Sequence, residues 1–140
     1  MSPPGKGSGG HQNLFRFINY LEKAGHKNNI YLYSTVDPRS IAQVRDVVND
    51  VSYVPLEAAR RMQWLEGDMA KADAIFATGW ETAYPVFNSS VTAKRYYFVQ
   101  DFEPYFYPVG SEYVLAENSY RFGFHGITAG GWLANKLHKE

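Results

Sequence analysis

Ala74-Ile75-Phe76-Ala77-Thr78-Gly79-Trp80-Glu81-Thr82-Ala83-Tyr84-Pro85-Val86-Phe87 is the stretch that sets the fold class. Ala74 to Thr78 is a short apolar run of the kind that makes a strand buried on both faces. Gly79 then turns the chain, and Trp80, Ala83, Tyr84 and Phe87 recur at three- and four-residue spacing as one face of a helix. Strand, turn and helix in that order make a βα unit. Arg95 to Val99 supplies the next strand, a polar turn and a Pro- and aromatic-rich loop follow, and a helix is predicted from about Ser111 to Tyr120. Phe124 to Thr128 reads as a weaker strand, and Gly130-Gly131 leads into a last helix with Trp132, Leu133 and Leu137 inward.

Upstream the same alternation holds. From His11, Leu14, Phe17, Ile18 and Leu21 form a helical stripe that stops at Gly25. Ile30 to Ser34 is a strand. Asp37 is placed to cap and Pro38 to start a helix with Ile41, Val44, Val48 and Val51 inward. Ser52 to Pro55 reads as a brief strand, and Ala58, Met62, Leu65 and Met69 have helical spacing. Repeated βα units predict an α/β, Rossmann-like three-layer sandwich with a mostly parallel sheet. Met1 to Ser8 is left as a flexible tail or loop remnant, and residues 9–140 as one domain.

Composition narrows the function classes. The 140 residues carry fourteen Lys+Arg and fourteen Asp+Glu, so the basic surplus that binds nucleic acid is missing. No run approaches the roughly 20 apolar residues that span a bilayer, and zero cysteines exclude a disulfide scaffold, a thiolate nucleophile and Cys-ligated metal. The Met-Ser-Pro-Pro-Gly start has no apolar signal region, which makes the cytoplasm the expected compartment. The 23 aromatic residues are unevenly spread, since eleven lie between Tyr96 and Phe124.

In open parallel sheets ligands bind beyond the carboxyl ends of the strands, which singles out the turns at Ser34-Thr35, Thr78 to Thr82, Gln100 to Glu103 and Thr128 to Gly131. Asp101 and Glu103 are candidates for sugar-hydroxyl contacts or general-base work, with Asp101 as a simple turn cap as the competing reading. Glu81 either faces a ligand or favours a helix N-terminus through the dipole. Gly9 and Gly10, before a helix, form an anion site or belong to a linker. The four histidines lack metal-binding spacing: His26 and His138 read as surface residues, His11 as a loop-to-helix residue, and His125 as a core histidine within a strand. The aromatics after Phe102 pack a loop, and such faces beside acids also suit sugar rings.

Four strings in order, Gly9-Gly10-His11-Gln12-Asn13, Ala77-Thr78-Gly79-Trp80-Glu81-Thr82-Ala83-Tyr84, Tyr97-Phe98-Val99-Gln100-Asp101-Phe102-Glu103-Pro104 and Gly126-Ile127-Thr128-Ala129-Gly130-Gly131-Trp132-Leu133, resemble the N-terminal half of GT-B glycosyltransferases. The nearest likeness is to bacterial rhamnosyltransferase-like members of the GT4 family. It covers about Gly9 to Leu137. The resemblance implies the acceptor-side domain of a metal-independent, retaining enzyme that moves a sugar, rhamnose being the expected one, from a nucleotide sugar to a surface-glycan acceptor. The nucleotide sugar is then a substrate, held mainly by a C-terminal domain outside these residues, and no cofactor is implied.

Carried over by position, Gly9 and Gly10 lie near the donor phosphates, Asp101 and Glu103 are the catalytic candidates, and Trp80, Glu81, Gln100 and Phe102 line the acceptor side. Gln100 stands where many GT4 relatives have histidine. The family's first strand precedes the Gly-Gly loop, and Met1 to Ser8 do not have the composition for it. The chain is therefore expected to be an inactive fragment with exposed strand edges and a hazard of self-association. In the full-length enzyme the implied location is cytoplasmic, with peripheral attachment at the inner face of the membrane. The rival reading is a non-catalytic carbohydrate-binding α/β module with the same aromatic rim. A receiver-type regulatory domain lacks the acidic cluster and partnering lysine it needs.

Overall fold

The first helical stripe becomes helix α1 (Gly9–Lys23) in the computed structural model. It buries Leu14, Phe15 and Ile18, whereas Phe17 is only half-buried, so the inward face is rotated from the one read off the spacing. Gly25 ends the helix at a φ of 95°, in the left-handed region that favours glycine. Its N–H donates to Glu22 O at 3.1 Å and the next N–H, of His26, donates to Leu21 O at 3.0 Å. This pair of bonds is a Schellman ending. The residues described are 1–5, 9–51, 55–100, 102–128 and 136–137.

The chain divides into two compact units, Met1–Glu66 and Gly67–Glu140. Each is built on its own parallel sheet, one of two strands and one of three, and the protein is a mixed α/β, Rossmann-like one.

In the first unit, β1 (Ile30–Leu32) pairs in parallel with β2 (Met62–Trp64), with Ile30 opposite Met62. The helical spacing of Ala58, Met62, Leu65 and Met69 is overturned here. Glu57–Arg61 forms a 3-10 turn and Met62 begins the strand. The partner decides it: β1 satisfies the backbone of β2, Leu65 N–H donates to Leu32 O at 2.8 Å, and a continued helix would have to pass Gly67, whose φ is 72°.

Helix α2 (Ile41–Val51) also starts later than expected. Ser40 is the cap, its Oγ accepting from Gln43 N–H at 3.3 Å while Gln43 Oε1 accepts from Ser40 N–H at 2.8 Å. Asp37 instead accepts from Arg39 N–H and pairs with the Arg39 guanidinium at 2.7 Å, which holds its carboxyl below the usual range. Val44 and Val48 are fully buried, and the expected strand at Ser52 to Pro55 falls largely on residues outside those described.

The N-terminal residues do not simply trail away. Met1 and Pro4 are buried, the Met1 amine donates to Tyr31 O at 2.6 Å, and Tyr33 N–H donates to Met1 O at 3.0 Å. Those two bonds flank Leu32 as a neighbouring parallel strand would. They give part of the edge of β1 a partner, although composition denied residues 1–8 a strand.

The second unit runs β3 (Ala74–Ala77), α3 (Trp80–Asn88), β4 (Lys94–Val99), a 3-10 turn at Glu103–Phe106, α4 (Ser111–Ser119) and β5 (His125–Thr128). The three strands are parallel in the order β3-β4-β5. Ile75, Ala77, Tyr97 and Val99 point into one core with Ala83 and Val86 of α3 and with Phe102. Alternation along the strands turns Phe76, Tyr96 and Phe98 to the other face, where they are half-buried, and Phe76 stacks on Tyr96 at 4.9 Å. His125 lies next to Tyr96 at 5.6 Å but is exposed. It is therefore not a core histidine, but sits opposite Tyr96 on an exposed part of β5. The last predicted helix lies largely outside the described residues, of which Lys136 and Leu137 are helical. Among the described residues no helix is long and apolar enough to cross a membrane.

Arg95 closes the C-terminal end of α3. Its guanidinium donates to Val86 O in the last turn and to Ser89 O, Val91 O and Ala93 O in the segment that follows, at 2.8 to 3.2 Å, tying the helix end to the chain beyond it. Arg95→Met keeps the stem and deletes these donors, and urea unfolding is expected to show a loss of about 2–3 kcal/mol. A second expectation concerns pH. Burial pushes the Met1 amine from 8.0 down to about 5 and lowers His11, whose Nε2 lies 2.9 Å from Ser2 O. The unfolded chain therefore takes up these protons first, so stability is full above pH 8 and falls as pH drops from 8 toward 5. Urea midpoints across that window should decline with falling pH, less steeply in His11→Gln; a flat profile would contradict the buried neutral groups.

Candidate functional site

The carboxyl ends of β3 and β4 lie side by side in the second unit, and the turns that follow them meet there. After β3, Thr82 folds its hydroxyl back to accept from Thr78 N–H at 2.9 Å and Gly79 N–H at 3.1 Å, and donates to Gly79 O at 2.8 Å. This closes the Thr78-Gly79 turn and aims the N-terminus of α3 at the turn after β4. Gly79 itself is extended, with φ −173°, so no left-handed geometry requires glycine.

Glu103 reaches across from the second turn. Its Oε1 accepts from Trp80 N–H at 3.0 Å, and a Cβ at Gly79 would lie 3.6 Å from Oε2. A carboxylate at the first turn of a helix is favoured by the unpaired N–H groups and the positive dipole end. The Glu103 backbone is fixed as well, its N–H donating to Tyr120 Oη at 3.1 Å. Trp80 is held at its other end: its indole Nε1–H donates to Tyr107 Oη at 3.0 Å, with the two rings edge to face.

Behind the rim lies a buried hydroxyl pair. Ser119 Oγ donates its single proton to Ala116 O at 2.6 Å, which leaves it to accept from Tyr97 Oη at 3.0 Å. Tyr97 Oη is also 3.5 Å from Glu103 Oε1. Burial first, and then the negative charge of Glu103, push the Tyr97 phenol far above its ordinary range.

The sequence-predicted site residues fall into different places. Trp80, Gln100 and Glu103 are half-buried at this rim, and Glu81 is exposed on the first turn of α3. Phe102 has no exposed surface; it packs in the core, stacked on Tyr120 at 5.5 Å and against Tyr105 at 4.7 Å, with Lys136 Nζ 4.8 Å above its ring. Its place at the turn is to anchor the loop from below. Asp101 lies outside the described residues. Gly9 and Gly10 open α1 in the first unit. Among the described residues no cluster of His, Asp and Glu is arranged to hold a metal ion.

Sequence reasoning missed Thr82, Tyr97, Tyr107, Ser119 and Tyr120. Thr82 carried a signal, a hydroxyl residue three positions after the turn glycine, and strand alternation was enough to put Tyr97 inside. Tyr107 and Tyr120 reach the site through loop paths that no periodicity reports. The assembled rim presents a half-exposed indole beside the Glu103 carboxylate that holds its backbone, beyond the ends of parallel strands, a setting suited to polar ring compounds.

The family described as the WsaF N-terminal domain matches residues 15–129. A stretch of 55 residues is 46% identical to the O-antigen biosynthesis protein RfbC of Myxococcus xanthus, covering 39% of this chain and 4% of that protein. The chain thus corresponds to a small part of that much longer relative. No solved structure matches.

The Tyr97 phenol generates a prediction. In the unfolded chain it ionises near 10, in the fold only at much higher pH, so the folded state loses stability as pH rises above about 10. Tyr97→Phe should flatten the alkaline limb of the unfolding profile, measured by urea midpoints between pH 9 and 11. A limb as steep in the variant as in the parent would place the responsible group elsewhere.

Proposed function

The chain belongs to the WsaF N-terminal domain family, and from that premise we propose that it is the acceptor-side domain of a glycosyltransferase of surface-glycan biosynthesis. The observation that carries the reading is the rim at the ends of β3 and β4, where Glu103 fixes the Trp80 backbone and Trp80 stays half-exposed. Sugar rings stack their C–H faces on such aromatic surfaces and give their hydroxyls to carboxylates and amides. The identity with part of an O-antigen biosynthesis protein supports a glycan as the ligand class.

The finer reading is a GT-B, GT4-type enzyme that transfers rhamnose with retention and without a metal. A nucleotide sugar is its donor substrate, and a second, donor-binding domain completes the cleft. Gly9 and Gly10 then face the donor phosphates through backbone N–H groups at the start of α1, as a helix N-terminus favours. Glu103 already accepts from Trp80 N–H, so its role is to position the indole. Asp101 is the acceptor-hydroxyl contact and base. Cytoplasmic location with peripheral membrane attachment goes with this reading, because nucleotide sugars are the substrates.

Saturation-transfer NMR of the chain with α-linked rhamno-oligosaccharides tests the proposal. Transfer to the sugar C–H protons is expected. It should fall at least severalfold in Trp80→Ala and Asp101→Asn, with thermal unfolding little changed in the latter. No transfer to any member of the series, or equal transfer in both variants, would contradict it.

A further inference from the structure

Helix α3 carries Trp80, Tyr84 and Phe87 at spacings of four and three residues, which puts the three rings on one stripe beside its buried face of Ala83 and Val86. The stripe is continuous. Trp80 and Tyr84 meet edge to face at 6.3 Å, Tyr84 and Phe122 at 5.0 Å, and Phe87 lies stacked on Phe122 at 4.4 Å. Phe87 is 51% exposed: one side of its ring packs on Phe122 and Phe124, and the rest stands open at the helix end. There the stripe runs into an open cavity of about 330 Å³, lined by Phe87, Phe122 and Phe124 together with Lys94, Arg95 and His125. Among the described residues no acidic side chain lines it.

We infer that this stripe is a track for the glycan chain, which extends from the rim along α3 and seats a distal sugar in the cavity. The inference rests on the proposed function above. Three features favour a glycan over another protein surface. The track begins at Trp80, the rim residue itself. Trp80 and Phe87 are seven residues apart, about 10 Å along the helix axis, more than one sugar ring spans, so an oligosaccharide can engage both ends. The cavity combines ring faces with the N–H donors of Lys94 and His125, the mixture that binds a sugar face and its hydroxyls, at the lower end of the size range of small-molecule sites.

Titration calorimetry of the 140-residue chain with α-linked rhamno-oligosaccharides of one to six residues tests it. Affinity is expected to rise with chain length. Phe87→Ala should weaken the hexasaccharide about fivefold while leaving the disaccharide unchanged, and Phe87→Tyr, which keeps the ring, should retain hexasaccharide affinity. Disaccharide binding with no gain on lengthening, or full hexasaccharide affinity in a folded Phe87→Ala, would overturn the track and leave the proposed function standing. Loss of self-association in Phe87→Ala, seen by sedimentation, with glycan binding intact would overturn it in favour of contact between copies of the chain. No binding at any length would overturn the proposed function and the track together.

Discussion

The hydrogen bond from Trp80 N–H to Glu103 Oε1 is the interaction on which the rim depends. Parallel strands deliver their turns to the same end of the sheet, but nothing in strand pairing decides how two such turns face each other. The carboxylate does so here. It joins the turn after β4 to the start of α3, and the amide it takes is one that the helix leaves without an internal acceptor. Thr82 holds the same helix start from within, and Tyr120 holds the Glu103 backbone from α4's C-terminal end. Trp80 therefore has its backbone fixed by Glu103 and its indole fixed by Tyr107, so the orientation of the ring is set before any ligand arrives. A ring already oriented loses less entropy on binding.

This arrangement also gives the aromatic excess a division of labour. Tyr97, Phe102 and Tyr120 fill the core beneath the turn, where Phe102 has no exposed surface and Tyr97 spends its hydroxyl on Ser119. Trp80, Tyr84 and Phe87 form the stripe on α3, with Phe122 from beyond α4 packed against Tyr84 and Phe87. Packing explains the first group fully. In the second, Phe87 stacks on Phe122 with one side of its ring and leaves about half of its surface open.

Much of the second unit was legible in the sequence because its signals are local and agree with one another. Ala74 to Ala77, the Gly79 turn and the stripe of Trp80, Ala83 and Tyr84 name a strand, a turn and a helix without reference to anything distant. The first unit was harder to read. Met62 to Trp64 had a helical period and became a strand because β1 was there to pair with it, a contact 32 residues away that no window contains. Asp37 and Ser40 both have the chemistry of a cap, and the reciprocal Gln43 side chain decided for Ser40. At the site, the residue types at Trp80, Gln100 and Glu103 were visible, while the roles were not: two turns had to be brought together before Glu103 could be seen holding Trp80. His125 illustrates the same limit, since strand periodicity cannot say whether the face it points to is covered.

The most direct measurement of the central claim is a titration of the nitrogen-15-labelled chain with an α-linked rhamno-oligosaccharide, followed at the Trp80 backbone amide and indole N–H. If the rim is the glycan site, the signals of Gly79, Trp80, Gln100 and Glu103 shift together and saturate with one affinity, and Glu103→Gln weakens the response at all four. Shifts confined to other parts of the chain, or a Trp80 indole that stays unmoved while sugar binds, would contradict the account.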